Sequence, residues 1–543
     1  MSVTLNIDST SVPASRGETL FECAEKAGVH VPTSCFKQGK CRECLVEVLS
    51  GMECLSAHTP EELHLQGAYR LSCRARIESA GDIRCVMLKR EALRVEDSGA
   101  LHPSAGGSLD SAIRRNGRQI LLDGNVIAEA SGPLHGLAVD IGTTTVVMRL
   151  LDLETGQIVA TQSFENPQRF GGSDVMARIR YDSENKGRLL QRTLLGYMSH
   201  AIEAFPCNPQ TIYEMVVAGN ATMRDLFFGL PVHSIGQRPY RSITEHDVLE
   251  GHRTSTALAI EAKLLRLPTH PKARVYGMPL VSGHVGADAA ACLLAIDMAR
   301  EDRTVALMDI GTNTELLVGN RHRIFAASCP AGPAFEGGGV TCGAAAFAGA
   351  IEHVHIGDDG TPFIETIGGK SPTGICGSGL IDILSELLRT GCMNSLGRFE
   401  QSGSPFELDR KRGVILTEND VSQLAQAKGA NLAGVHITLA QYGIDFDQLD
   451  VFYLAGGFAK HIDLNAARRI GLIPNLPDEK IQRIGNASIE GAAIALQSVA
   501  RRRKLEAMVQ NVTHVELETD PRFFDYFVEA CQYRPVKTNV LQS

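Results

Sequence analysis

The sequence predicts an α+β multidomain protein. A small cysteine-bearing module comes first, then a large α/β domain built twice over. Three observations predict this. The chain has 543 residues, room for about two to four domains. Cysteines cluster near the N-terminus at Cys35, Cys41 and Cys44, with Cys73 following. One pattern, an apolar run, an Asp and a Gly/Thr turn, stands at Leu137 to Thr145 and again at Leu307 to Thr314.

Composition sets limits. A net charge of −9 and the lack of a basic run argue against nucleic acid as the main partner. No stretch approaches the length of an apolar membrane span, and Met1-Ser2-Val3-Thr4 opens no signal segment, so a cytoplasmic location is expected. Fourteen cysteines in such a chain argue for metal or redox use rather than a disulfide framework.

In residues 1–90, Val3, Leu5 and Ile7 alternate with polar residues, as in a half-buried strand. Thr19 to Glu22 reads as a capping box, Leu20, Cys23, Ala24 and Ala27 share a helical face, and Gly28 ends the helix. The C-x5-C-x2-C spacing with one distant cysteine suits a two-iron, two-sulfide cluster, and Gly39 permits a tight loop. Zinc and plain buried thiols are the alternatives, but structural zinc usually pairs two C-x2-C knuckles and here there is one. The spacing resembles the adrenodoxin type, and the lead-in resembles a β-grasp ferredoxin. The expected ligands are Cys35, Cys41, Cys44 and Cys73, with Cys23, Cys54 and Cys85 as packing residues.

Residues 91–133 read as a linker. Val95 to Gly107 is polar and Gly/Pro-rich, and a short hairpin follows around Asp123-Gly124. It would let the first module swing, or would merely join two parts.

In residues 134–543, each copy of the repeated pattern is followed by a second and a third apolar run, so strand, turn, strand, hairpin turn, strand occurs in duplicate. Glycine lets backbone approach a phosphate, Thr hydroxyls donate to its oxygens, and an Asp at a strand end can hold hydrated Mg²⁺. One copy alone reads as a hairpin with a polar turn. Two point to nucleotide binding between related lobes. The paired Asp-Ile-Gly-Thr loops resemble the phosphate motifs of the acetate/sugar kinase, heat-shock-70 and actin superfamily, whose fold is ribonuclease-H-like. Val451 to Phe458, a strand entering a Gly-Gly turn, resembles its adenosine motif. The resemblance implies ATP as ligand, with Asp140 and Asp309 at Mg²⁺ and the attacking water. It gives the phosphates to Gly142, Thr143, Thr144, Thr145, Gly311, Thr312 and Asn313, and the adenosine to Gly456 and Gly457. Gly377 and Gly379 open a helix, as a nucleotide contact or as a tight entry turn.

Further stretches sharpen the family: Asn166 to Val175, Gly219 to Met223, Gly283 to Asp288 and Pro330 to Gly337. With the N-terminal ferredoxin they resemble ATP-dependent reductive activators of corrinoid proteins. That implies one-electron reduction of a Co(II) corrinoid protein to Co(I), reactivating a methyltransferase system. It also implies a low-potential electron donor, with a homodimer left open. The chain departs from the pattern twice. Some members carry a sizeable middle domain where only residues 91–133 lie here, and the tail has Cys531 alone where members from methanogens carry clusters. The rivals are a small-molecule kinase, an electron donor to another acceptor such as an acyl-CoA dehydratase, and a bare electron carrier. Asn166 to Asp174 is expected either to contact the partner or to stabilise the lobe interface. His353 and His355 read as a polar strand face. Cys329, Cys342 and Cys376 are expected in loops near the nucleotide, as small buried residues. Phe523 to Phe527 is expected as a helix packed on the body.

Overall fold

The computed structural model describes residues 3–7, 10–29, 31, 35, 37–40, 44–87, 109–400, 403–457, 459–536 and 538. Cys41, the linker stretch from Val95 to Gly107 and Phe458 lie outside the described residues.

Leu5 and Ile7 are buried on Thr4–Ile7, which pairs antiparallel with Thr10–Val12 and parallel with Asp82–Met87. Among the described residues, Leu45–Ser50 and Tyr69–Leu71 complete a five-stranded sheet. The helix Leu20–Lys26 starts at the expected capping box, with Leu20, Phe21, Cys23 and Ala24 buried beneath it. A fully buried ion pair, Arg70 with Glu62 at 2.9 Å, braces the sheet beside Cys73. Its cost of burial is met by further bonds, Arg70 to the Ser56 carbonyl and the Leu71 N–H to Glu62.

The expected hairpin forms as Gln119–Leu122 and Asn125–Glu129, and a third strand, Ile113–Asn116, joins it. It is fastened to the body, because Asp110 exchanges backbone bonds with Gln497 and Val499.

The duplication is explicit in the strand order. In the first lobe β1 (His135–Ile141), β2 (Thr145–Asp152) and β3 (Ile158–Glu165) run antiparallel. Next, β4 (Ile212–Gly219) and β5 (Arg274–Gly277) are added parallel to β1. In the second lobe β6 (Val305–Asp309), β7 (Thr314–Asn320) and β8 (Arg323–Cys329) repeat the meander. There β9 (Val451–Ala455) and β10 (Ile481–Gly485) add parallel to β6. The central strands are covered on both faces, so they read as continuous apolar runs rather than alternating ones.

The two halves agree at the atomic level. Gly219 ends β4 with φ +145° and Gly456 follows β9 with φ +124°. A Cβ at Gly219 would stand 2.7 Å from the Ile141 carbonyl oxygen, and one at Gly456 2.5 Å from that of Ile310. In each lobe the backbone passes directly over the residue after the strand-end Asp, at a distance only glycine allows.

Two small-residue helices cross between the sheets, α2 (Ala287–Ala295) and α4 (Ala487–Gln497). A Cβ on Gly491 would lie 1.9 Å from the Ala291 carbonyl. Although late in sequence, α4 packs on β1 and β4 of the first lobe. The helix Phe523–Ala530 lies along Glu418–Tyr442 as expected, with Phe523, Tyr526 and Phe527 partly buried and Phe524 exposed. No described helix is long and apolar enough to cross a membrane.

Candidate functional site

The cleft between the lobes is lined by both phosphate-type loops, Gly142 to Thr145 and Gly311 to Asn313. Asp140 and Asp309 occupy equivalent strand ends on its floor. Asn486 and Ser488 donate to the two carboxylate oxygens of Asp140 at 2.9 and 2.8 Å. Asp309 accepts from the Cys292 thiol at 3.4 Å.

The loops meet across the cleft. The Thr144 and Thr312 hydroxyls are 2.8 Å apart, and Thr144 also bonds Glu336 at 3.1 Å. Thr312 donates to the same Glu336 oxygen. Asn220, which caps the helix after β4, donates to the Thr143 hydroxyl at 3.0 Å. Gly286 permits the Asp288 turn to approach, since a Cβ there would lie 2.4 Å from the Asn220 Cα.

Sequence reasoning gave roles to Asp140 and Asp309 and missed Asp288, Glu315 and Glu336, which line the same cleft. Asp288 and Glu336 stood inside glycine-rich stretches, which was their signal. Glu315 stood in an apolar strand, and Asn486 and Ser488 showed only a helix start.

These carboxylates raise one another's pKa. Burial first, then the charge of Asp140, pushes Asp309 up to about 7. Burial and the charges of Asp140 and Asp309 do the same to Asp288, also to about 7. Burial also lifts Asp140, Glu315 and Glu336. One Glu315 oxygen has no hydrogen-bond partner among the described residues. Such a cluster attracts a cation. Among the described residues no three ligating side chains converge on one point. A cation here would therefore keep waters and bind through few carboxylates plus phosphate oxygens, as Mg²⁺ does.

Gly377, Gly456 and Gly457 line the cleft. Gly379 lies deeper in α3 (Gly377–Arg389), where a Cβ would meet the Ile351 carbonyl at 2.3 Å. Of Cys329, Cys342 and Cys376, expected as small buried residues in loops near the nucleotide, Cys329 and Cys376 are buried and Cys376 adjoins the cleft residue Gly377, whereas Cys329 stands at a strand end rather than in a loop. Cys329 ends β8 inside the core, Cys376 bonds the Ile351 carbonyl at the entry of α3, and Cys342 bonds the Gly413 carbonyl. None of them lines the cleft. His353 and His355 pair with Asp382 and Glu386 on α3, each at 3.0 Å.

In the N-terminal module the Cys44 and Cys73 sulfurs are 3.3 Å apart, near enough for both to reach one metal. Cys35 lies within electrostatic reach of Cys73. Gly39 has φ +73°, and a Cβ there would stand 2.8 Å from the Arg74 Nε. Arg74 in turn donates to the Gln38 carbonyl at 2.6 Å, which ties the loop down. These residues fit an iron–sulfur cluster.

Residues 3–78 match the 2Fe-2S iron-sulfur cluster binding domain family. Residues 135–301 match the RACo middle region, and 303–543 match the C-terminal domain of RACo, the ASKHA domain. The middle-region match corrects the expectation that a middle domain is missing: its place is taken by the first lobe. The chain is 31% identical over 430 residues to the corrinoid activation enzyme RamQ of Eubacterium limosum, covering 74% of this chain and 70% of that one. It is 23% identical over 431 residues to the [Co(II) methylated amine-specific corrinoid protein] reductase of Methanosarcina barkeri, covering 74% and 77%. A solved structure titled reductive activator for corrinoid, iron-sulfur protein superposes over 99% of both chains, with TM-score 0.74 and 28% identity. With ferredoxin, middle region and ASKHA domain in one chain, the protein belongs to the RACo family of corrinoid activators.

Proposed function

We propose that the protein uses ATP to drive one-electron reduction of an inactive Co(II) corrinoid protein to Co(I), returning a methyltransferase system to work. The observation that carries this reading is the full-length superposition on a reductive activator, with a cluster-type cysteine loop and a two-loop nucleotide cleft in one chain.

Cys35, Cys41, Cys44 and Cys73 would hold the cluster, which supplies a one-electron carrier near about −400 mV in the plant type. A shortfall of ~200 mV at cobalt corresponds to roughly 5 kcal/mol for one electron, a gap that nucleotide binding and hydrolysis can close. The loops at Gly142 to Thr145 and Gly311 to Asn313 would take the phosphates, and Gly456 and Gly457 the adenosine. Asp140 and Asp309 would orient hydrated Mg²⁺ and the attacking water. Asn486 and Ser488 fix the carboxylate plane of Asp140 for that task. The Thr144–Thr312–Glu336 bridge would open for the terminal phosphate, and hydrolysis would let it reclose.

The test is anaerobic absorbance of the protein, a Co(II) corrinoid protein and a low-potential donor, with and without Mg-ATP. ATP-dependent loss of the Co(II) band is expected. ATP consumed with cobalt unchanged would reassign the acceptor, and equal reduction without ATP would leave a bare electron carrier.

A further inference from the structure

The stretch from Asn166 to Asp174 was expected at a partner or at the lobe interface. The structure gives it another place. It leads into α1 (Val175–Glu184), which Asp174 caps by accepting from the Ala177 N–H at 2.9 Å. This segment holds three consecutive carbonyls of the first phosphate-type loop. The Asn166 side chain donates to the Gly142 carbonyl at 2.8 Å. Arg178 donates to that of Thr143 at 2.6 Å. The Asn166 backbone N–H donates to that of Thr144 at 2.7 Å. The loop carbonyls are thus tied back by 166–178, and any shift of the loop must move this segment.

The same segment also touches the ferredoxin. The Tyr181 hydroxyl, one helical turn beyond Arg178, donates to the His64 carbonyl at 2.5 Å. The Phe170 ring packs edge-on against both His64 and Tyr181, with centroids 5.9 and 5.5 Å away. Arg169 reaches Glu47 at 3.5 Å and lies beside Tyr69. Glu47 and Tyr69 are register partners on two paired strands. Leu45 faces Leu71 in that register, so Cys44 and Cys73 flank the same end of the strand pair, two positions beyond Glu47 and Tyr69.

Arg178 is fully buried, and its hydrogen bonds go to neutral groups: the Thr143 and Gly172 carbonyls, Gln168 and the Met223 sulfur. A buried guanidinium bonded to neutral acceptors just behind a phosphate loop responds to an anion arriving in front of it.

We infer that residues 166–181 are a transmission element that links phosphate occupancy of the Gly142–Thr145 loop to docking of the ferredoxin, with Arg178 and Tyr181 as positioning residues at its two ends. The inference rests on the proposed nucleotide role of the cleft and does not depend on what accepts the electron. Linkage makes the coupling reciprocal. Nucleotide changes the docking equilibrium by some factor, and weakened docking changes nucleotide affinity by the same factor.

Amide hydrogen exchange on the full-length, cluster-loaded protein tests this, with and without a saturating non-hydrolysable Mg-ATP analogue. Peptides spanning residues 45–50 and 62–71 report docking, and a peptide covering 140–147 reports binding. Exchange at the ferredoxin peptides is expected to change at least about threefold with nucleotide. The change is expected to fall below about twofold in Tyr181→Phe, which removes one hydroxyl from an otherwise kept ring, and in Glu47→Ala on the far side. Both variants should still protect 140–147. Unchanged ferredoxin peptides in the parent with 140–147 protected, or a full response in both variants, would overturn the inference. Coupling observed in a protein that fails to reduce cobalt would uphold it and remove only the proposed acceptor.

Discussion

At the residue scale the cleft is governed by carboxylates held where charge is costly. Asp309 rises to about 7 because it is desolvated and faces Asp140. It would regain its charge when a cation and its waters arrive. Asp309→Asn keeps the shape and loses that response. ATP turnover is expected to fall at least about 100-fold, while the visible spectrum of the cluster stays unchanged. Turnover within a few-fold of the parent would remove Asp309 from the chemistry. Asp140 and Asp309 were legible because each ends an apolar run and precedes a Gly/Thr turn. Glu336 was not, because its role comes from bonding two hydroxyls 192 and 24 residues away in the chain. Glu315 sits in a strand where its neighbours Leu316 and Leu317 set an apolar reading, and only the fold turns it into the cleft.

At the element scale, matched flanking strands made the duplication readable, since each apolar run of the sequence became one strand of a meander. The crossing of α2 and α4 was not readable, because α4 joins a sheet whose strands lie more than two hundred residues earlier. The C-terminal helix was placed correctly, and its anchor is a buried lysine. Lys428 donates to the Gln532 carbonyl at 2.9 Å and to that of Ala530, with the Tyr533 ring 5.4 Å away. Burial lowers its pKa to about 7, with Arg534 adding repulsion and Cys531 opposing it. The unfolded chain holds that proton up to the ordinary lysine range near 10.4. Its contribution to stability is therefore present at high pH and is lost as pH falls through about 7. Docking of Phe523–Ala530 should tighten between pH 7 and pH 9, read as larger amide-exchange protection factors in that helix, relative to the intrinsic rate at each pH. Lys428→Met should flatten the trend, and an equal trend in the variant would show that another group drives it.

At the scale of the whole molecule, two machines share one chain and should separate by mutation. Cys73→Ser removes one of the expected cluster ligands. Corrinoid reduction should be lost, while ATP hydrolysis without partner stays within about threefold of the parent, since Cys73 is not among the residues through which the ferredoxin meets 166–181. Loss of both activities would make the cluster a structural brace. The helices α2 and α4 touch where Gly491 lies against the Ala291 carbonyl, beside an alanine-rich surface on α2. Mechanically this is a close bearing: backbone meets backbone with no side chain between, a fit only glycine allows. Opening the jaws must break the hydrogen bonds at their tips, between Thr144, Thr312 and Glu336, so the latch sits beside the phosphate-type loops and the pivot lies elsewhere.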